Sequence, residues 1–381
     1  MSTTIVYLLA EDFLFMSHFV ERALAAKARG WRVIVAARAG TAAETIRSLG
    51  LEFVALDFRR RSLNPFSELR TISQVARLYR KVKPDIVHHI ALKPIIYGTI
   101  AAGRAGVRHI VNAPIGMGFV FASATSTARV LRPIALTLLR YTMNPPGSRV
   151  IFENTEDRDA FVGRGFVREA DSALIEGAGV DLEKFHPRIA PAGPPVIVLA
   201  ARMLASKGVR EMVEAAAILK REGVAAKVRL AGMPDTGNPE SITEDELRGW
   251  HNAGTVEWLG QRGDMAEVYG AAHIACLPSY YGEGLPRTLL EAMAVGLPIV
   301  TTDNVGCRSA VTDGENGILV PPRDPQALAA ALRRLIEDPA LRRAYGEAGR
   351  RRAEERFGLP LVISQTLSLY DGLLARAKEG A

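Results

Sequence analysis

Short runs of β-branched and aliphatic residues alternate along the chain with longer segments whose apolar positions recur at helical spacing. TTIVYLL is followed by HFVERALAAKARG, then RVIVAAR, AAETIRSLG and EFVAL, and the first half continues through PDIVHH, HIVNAP and RVIFEN. A second series starts at PPVIVLAARM and runs through KVRLAGMP, VEWLG, IACLP and PIVTTD to GILVPP. Nearly uniform apolar strands, alternating with helices that end in glycine, predict βαβ units on parallel sheets. Two such series in succession predict an α/β chain of two doubly wound domains. The stretch KFHPRIAPAGPP, Lys184 to Pro195, breaks the periodicity with four prolines and a glycine and marks the join. The expected division is therefore residues 1–186, residues 187–358 and a C-terminal helix over 359–381. That helix carries LVISQTLSLYDGLLARA and is expected to pack back toward the first domain.

A chain of 381 residues is long enough for two cores, and its 48% hydrophobic and 23% charged residues are those of a soluble globular protein. No apolar run reaches the roughly 18 to 20 residues of a membrane-spanning helix. The opening MSTTIVYLLAEDFLF has no basic leader and reads as a first buried strand. Cys276 and Cys307 are the only cysteines and have no metal-site spacing, which points to the cytoplasm. Charge changes the picture more. Residues 1–190 hold 26 Lys and Arg against 17 Asp and Glu, a balance of +9, whereas the remainder holds 22 against 24. A basic half suits nucleic acid, an anionic membrane or a phosphorylated substrate. Nucleic acid ranks last, because no nucleic-acid motif and no aromatic–basic interleaving accompany the charge.

The stretch YYGEGLPRTLLEAMAVGLPIVTTD carries the chemistry. It places Glu283 in a glycine-containing turn after the strand IACLPS, and Glu291 on the helix that Pro286 opens and Gly296 ends. The amides around Gly284 and Leu285 begin an anion site at that helix N-terminus. Two carboxylates so placed can accept from hydroxyls on either side of a bound phosphate. Alone, the same pair reads equally as a capping acid and a solvated helix acid. Arg202 ends a strand in AARMLASKGVREMVEAA and Lys207 with Gly208 opens the next helix, so two cations flank the same end of the domain. Without that context they would be an ordinary charged surface.

EGLPRTLLE resembles the E-x7-E motif of the family 4 glycosyltransferases, and AARMLASKG resembles the segment that supplies their arginine and lysine. Similar stretches cover nearly the whole chain, among them VIFENTEDRDAF, IEGAGVDLEKFHP, VEWLGQRGDM and TTDNVGCRSAVTDGENGILVPPRD. VHHIALKPIIYGTIAAG and NAPIGMGFVF look like the subgroup that builds lipid-linked bacterial glycans, whose members include N-acetylgalactosaminyltransferases acting on polyprenyl-diphosphate-linked sugars.

The resemblance implies the GT-B fold, two Rossmann-like domains facing a cleft, and a retaining hexosyltransferase. The implied donor is a UDP-sugar, best matched by N-acetylgalactosamine or another N-acetylhexosamine, and the acceptor a polyprenyl-diphosphate-linked glycan. It assigns the transferred sugar to Glu283, the diphosphate to Arg202 and Lys207, and the ribose to Glu291. Gly284 and Leu285 would line the donor site, with uracil near Gly260, Arg262 and Asp264. His18, Lys93, Gly116 and Gly118 fall on the acceptor side. No cofactor is implied and no metal, since the sequence shows no His/Asp/Cys set with metal-site spacing.

Two departures stand out. AEDFLFMSH occupies the place where many relatives have a Gly-Gly loop, and the usual histidine of the first domain has no clear counterpart. His18, His88 and His89 are the available substitutes. GMGFVF lacks the spacing and the downstream acid of a dinucleotide fingerprint, which counts against an oxidoreductase. The acid-free stretch 101–150 interleaves Arg129, Arg132 and Arg140 with leucines and other aliphatics. Alone, this pattern reads equally as a core helix with arginines at its rim; with the +9 excess of the first half it suits a helix lying on the anionic inner face of the plasma membrane, so the protein is expected to be cytoplasmic and peripherally membrane-bound. Three other readings stay open: a glucosyl- or galactosyltransferase for exopolysaccharide or lipopolysaccharide, a UDP-N-acetylglucosamine 2-epimerase, and a non-catalytic nucleotide-sugar-binding scaffold.

Overall fold

A computed structural model describes residues 2–58, 64–115, 126–189, 191–280, 282 and 284–379, with backbone alone at 126–132, 134 and 376–379. The chain forms two compact units, Met1–Ala178 with Pro360–Ala381, and Gly179–Leu359. The division lies at Ala178/Gly179, not at 186/187. Val180 bridges Gly358, its amide donates to the Phe357 carbonyl, and Val180 and Phe185 are buried in the second unit's core. The proline-rich stretch therefore lies inside the second unit.

The first unit contains strands β1 (Thr4–Glu11), β2 (Arg32–Arg38), β3 (Glu52–Ala55), β4 (Ile86–Ile90), β5 (His109–Ala113), β6 (Arg149–Phe152) and β7 (Ser172–Leu174). They form one sheet in the order β3-β2-β1-β4-β5-β6-β7, parallel at every pairing. The central strands are apolar throughout because helices cover both faces. One core gathers Ile5, Tyr7 and Leu9 of β1 with Phe15, Phe19 and Tyr370, and the other gathers Val6 and Leu8 with Val75, Tyr79 and Ala102. The C-terminal helix Leu359–Glu379 contributes Val362, Leu367, Tyr370 and Leu373 to the first of these cores.

AEDFLFMSH is not a loop. A helix, Asp12–His18, starts directly after β1, and the buried Asp12 carboxylate accepts from the Gly40 amide at 2.6 Å and the Ala42 amide at 3.1 Å. His18 is the last residue of that short helix.

His88 and His89 lie within β4 and are fully buried. Both make hydrogen bonds inside the core. His88 Nδ1 bonds the Tyr370 hydroxyl at 2.7 Å, and that hydroxyl meets the Tyr7 hydroxyl at 3.2 Å, which ties the C-terminal helix to the central strands. His89 Nδ1 lies 2.9 Å from Asn112 Oδ1 and Nε2 lies 3.1 Å from the Tyr79 hydroxyl, contacts that suit a neutral ring protonated on Nδ1. Burial pushes the pKa of both histidines down, to about 4 for His89; the Arg22 charge lowers that of His88 further.

The sign of the pH effect follows. Below the ordinary histidine value the unfolded chain takes up protons that the folded core refuses. Stability is full above about pH 6.5 and falls toward pH 4, by on the order of 3 kcal/mol for His89 alone. The expected result is a lower Tm at pH 5 than at pH 7.5, with the drop reduced in His89→Gln. A Tm that holds or rises on acidification would contradict it.

Candidate functional site

The second unit's strands are β8 (Val196–Ala200), β9 (Lys227–Ala231), β10 (Glu257–Gly260), β11 (Ile274–Leu277), β12 (Ile299–Thr302) and β13 (Gly317–Val320). They run in parallel in the order β10-β9-β8-β11-β12-β13. The chain goes from β8 outward to one side and returns to β11 on the other. The two strands leave a crevice at their carboxyl ends, the place where open α/β sheets bind ligands.

Several short contacts draw the loops at that end together. After β8 a tight turn, Ala205–Lys207, leads to Gly208 and the helix Val209–Arg221. Gly208 has φ +75°, and a Cβ there would stand 2.1 Å from the Pro278 carbonyl oxygen, so the turn lies directly against the backbone that follows β11. The Ser206 carbonyl accepts from the Tyr280 amide at 3.0 Å and from Ser279 Oγ at 3.1 Å. Thr302 Oγ1, at the end of β12, donates to the Ser279 carbonyl. On the other side Gly232, with φ +146°, brings the end of β9 so close to Ala201 that a Cβ would stand 1.8 Å from its carbonyl oxygen. The Gly232 amide donates to the Gly260 carbonyl at 2.8 Å. Glycine is required wherever backbones approach in this way.

The residues singled out in the sequence take their places on this frame. Arg202 is exposed, and its Nη1 donates to Asp235 Oδ2 at 2.6 Å. Lys207 is half-buried at the end of the turn. Glu283 lies outside the described residues, between Gly282 and Gly284. The helix Arg287–Val295 starts two residues after Leu285 and carries Glu291 on its buried side. Glu291 is only 7% exposed; Arg287 Nε donates to its Oε1 at 2.9 Å, one turn earlier on the helix. Burial raises the Glu291 pKa, while the Arg287 and Lys184 charges oppose that rise. Gly260 ends β10 with φ +66°, and beyond it Arg262 and Asp264 form an exposed ion pair, with Nε to Oδ1 at 2.8 Å. This turn sits at the sheet edge, two strands away from β8.

In the first unit, Lys93 is held by Glu68, Nζ to Oε2 at 3.0 Å, and His18 Nδ1 meets Ser17 Oγ at 2.6 Å. Gly116 and Gly118 lie outside the described residues. Arg129, Arg132 and Arg140 all fall on the helix Ser126–Thr142, where Arg140 is exposed beside the exposed Tyr141 and the side chains of Arg129 and Arg132 are not described. Among the described residues no group of three or more His, Cys, Asp and Glu could hold a metal ion.

Two site residues escape the sequence reading. Arg287 could have been found, because it precedes Glu291 by four positions and so shares its helix face. Asp235 could not: only the strand order brings it to Arg202.

Comparison with known proteins fits this geometry. Residues 4–154 match the family model Glycosyl transferase 4-like, and residues 181–352 match Glycosyl transferases group 1. The N,N'-diacetylbacillosaminyl-diphospho-undecaprenol alpha-1,3-N-acetylgalactosaminyltransferase of Campylobacter jejuni is 27% identical over 344 residues, covering 87% of this chain and 88% of that one. The capsular polysaccharide biosynthesis glycosyltransferase CapM of Staphylococcus aureus is 24% identical, over 84% and 85% of the two chains. Among solved structures, Anabaena Alr3699/HepE in complex with UDP and glucose superposes with a TM-score of 0.76 at 18% identity, over 97% of this chain and 100% of that one. A glycosyltransferase from Rickettsia africae gives a TM-score of 0.77 at 19% identity, over 98% and 99%.

Proposed function

Because the chain belongs to the family 4-like glycosyltransferases, on family-model matches over both halves, we propose that it transfers a sugar from UDP to a polyprenyl-diphosphate-linked glycan. The transferred sugar is an N-acetylhexosamine, with N-acetylgalactosamine first, and its anomeric configuration is retained. One observation carries the reading. The turn that holds Lys207 is bonded through Ser206 to the segment that leads into Glu283, at the crevice between β8 and β11. The similarity to the Campylobacter enzyme supports the donor sugar and the lipid-linked acceptor.

In this reading Arg202 and Lys207 face the diphosphate, where negative charge grows as the sugar departs. Glu291, oriented by Arg287, accepts from the ribose hydroxyls. Glu283 holds the transferred sugar. The departing phosphate takes the acceptor proton, so no side chain has to act as a base. Lys93, His18 and the glycines Gly116 and Gly118 belong to the acceptor side.

The test is a panel of UDP-sugars screened for protection against heating, since a ligand that binds the folded state raises Tm in step with its affinity. Protection by UDP-N-acetylhexosamines above UDP-glucose supports the reading. The reverse order favours a glucosyl- or galactosyltransferase, and conversion of UDP-N-acetylglucosamine without acceptor identifies an epimerase. Binding with neither transfer nor hydrolysis identifies a scaffold.

Because cations and helix amides serve the diphosphate, turnover is expected to persist in excess EDTA. Complete loss that Mg²⁺ restores would overturn this.

The acceptor's lipid places the reaction at the cytoplasmic face of a membrane, and the basic helix Ser126–Thr142 is the surface assigned to it. Each Lys or Arg near an anionic bilayer contributes about 1 kcal/mol. The protein should sediment with phosphatidylglycerol vesicles at low salt, and less so at high salt or after Arg129, Arg132 and Arg140 are changed to Glu. Absence from anionic vesicles at low salt would remove the membrane from the account.

A further inference from the structure

The loop after β13 contains a backbone conformation that its side chain should resist. Arg323 has φ +60°, one of three non-glycine residues with positive φ among those described; Lys83, which caps a helix, and Ala91 are the others. The chain turns here from β13 into the helix Pro325–Glu337, whose first turn is capped by Asp324 accepting from the Ala327 amide at 2.8 Å. Glycine would adopt φ +60° at no steric cost, so the turn itself gives no reason for an arginine.

The side chain supplies the reason. The Arg323 guanidinium lies 4.3 Å from the centre of the Tyr280 ring, over its face. Tyr280 follows β11, and its amide already donates to the Ser206 carbonyl in the turn after β8. Three loops at the carboxyl end of the sheet thus meet at one tyrosine. Glu211, on the helix that follows the β8 turn, completes the cluster. One of its carboxylate oxygens is buried without a hydrogen-bond partner; burial raises its pKa, and the nearby Arg323 charge opposes that rise. Arg323 is exposed on its outer side, so it closes the cluster from solvent's edge.

We propose that Arg323 is a positioning residue for transfer: stacked on Tyr280, it holds that residue against the turn after β8. Glu283 stands three positions beyond Tyr280 in the sequence, and Gly284 and Leu285 open the Glu291 helix. The inference rests on the glycosyltransferase reading for its consequence in turnover, but the contact with Tyr280 does not depend on that reading. A flat cation held over an aromatic face is a directional contact that a lysine reproduces only in part.

The experiment compares wild type with Arg323→Gly and Arg323→Lys by hydrogen exchange, thermal melting and steady-state kinetics with a UDP-sugar. Arg323→Gly relieves the backbone while removing the stack, so Tm should stay level or rise. Exchange in peptides spanning 279–285 should quicken about tenfold without a matching change elsewhere. The kcat should fall on the order of tenfold or more, with the donor KM nearly constant, because displaced groups cost turnover more than binding. Arg323→Lys should recover part of both. Unchanged exchange in 279–285 overturns the proposal, and so does quickened exchange with wild-type kcat. If wild type turns over no UDP-sugar at all, the functional reading fails, and exchange alone still decides whether Arg323 holds Tyr280.

Discussion

Glu283→Gln is expected to lower kcat about a hundredfold, the usual loss for a charged contact felt mainly in the transition state, while UDP affinity stays near wild type. The reason lies in the contacts that the proposed function assigns along the donor. In the sequence Glu283 comes after β11 and before the helix Arg287–Val295, and the proposed function assigns it to the transferred sugar. Glu291 is buried on that helix, gripped by Arg287 at 2.9 Å, and is assigned to the ribose. Glu291→Gln should therefore weaken UDP itself, by on the order of tenfold, as expected for losing the charge from one hydrogen-bonded contact. Calorimetric titration of UDP into both variants separates the roles. Equal losses of UDP affinity would remove the division of labour between the two glutamates.

Gly208→Ala should produce a large structural effect. Its φ of +75° already disfavours a side chain, and the added Cβ would stand 2.1 Å from the oxygen and 2.6 Å from the carbon of the Pro278 carbonyl. Both atoms are backbone directly after β11, and the Pro278 ring Cγ would stand equally near, at 2.6 Å. Strain and clash together should cost about 3 kcal/mol or more, which lowers Tm by on the order of 10 °C in a unit of this size. Gly223→Ala is the control. Its φ is +74°, but a Cβ there would meet nothing within 4 Å. That variant should lose only about 1 kcal/mol, from the backbone term alone. The remaining folded Gly208→Ala protein should bind UDP poorly, because the Lys207 turn is pushed away from the Glu283 segment. Similar Tm shifts in the two variants would mean that the close approach at Pro278 does not matter.

Much of this architecture can be read from the residue pattern, for identifiable reasons. Apolar strands such as TTIVYLL and PPVIVLAARM announce themselves because both sheets are covered on both faces. β7 escapes because Ser172–Leu174 is three residues long, half-buried and at a sheet edge. The pattern puts the join in the proline-rich stretch that breaks the periodicity. The true one is set by the pairing of Val180 with Gly358, across 178 positions of sequence. His88 and His89 look available at the end of a written strand, yet alternation along β4 turns them into opposite cores. The site divides in the same way. Glu291, Arg202, Lys207 and the glycines belong to contiguous motifs, and the sequence displays them. Asp235 and Arg323 reach Arg202 and Tyr280 only through the order β10-β9-β8-β11-β12-β13, which no local pattern encodes.

The central claim is sugar transfer with retention from UDP to a polyprenyl-diphosphate-linked glycan. The most direct test incubates the protein with UDP-N-acetylgalactosamine and a polyprenyl-diphosphate-linked N-acetylhexosamine, then reads the anomeric coupling of the product by proton NMR. The account predicts a lengthened lipid-linked glycan whose new linkage keeps the α configuration of the donor. A β-linked product, or free sugar and no lengthened acceptor with any UDP-sugar, would contradict it.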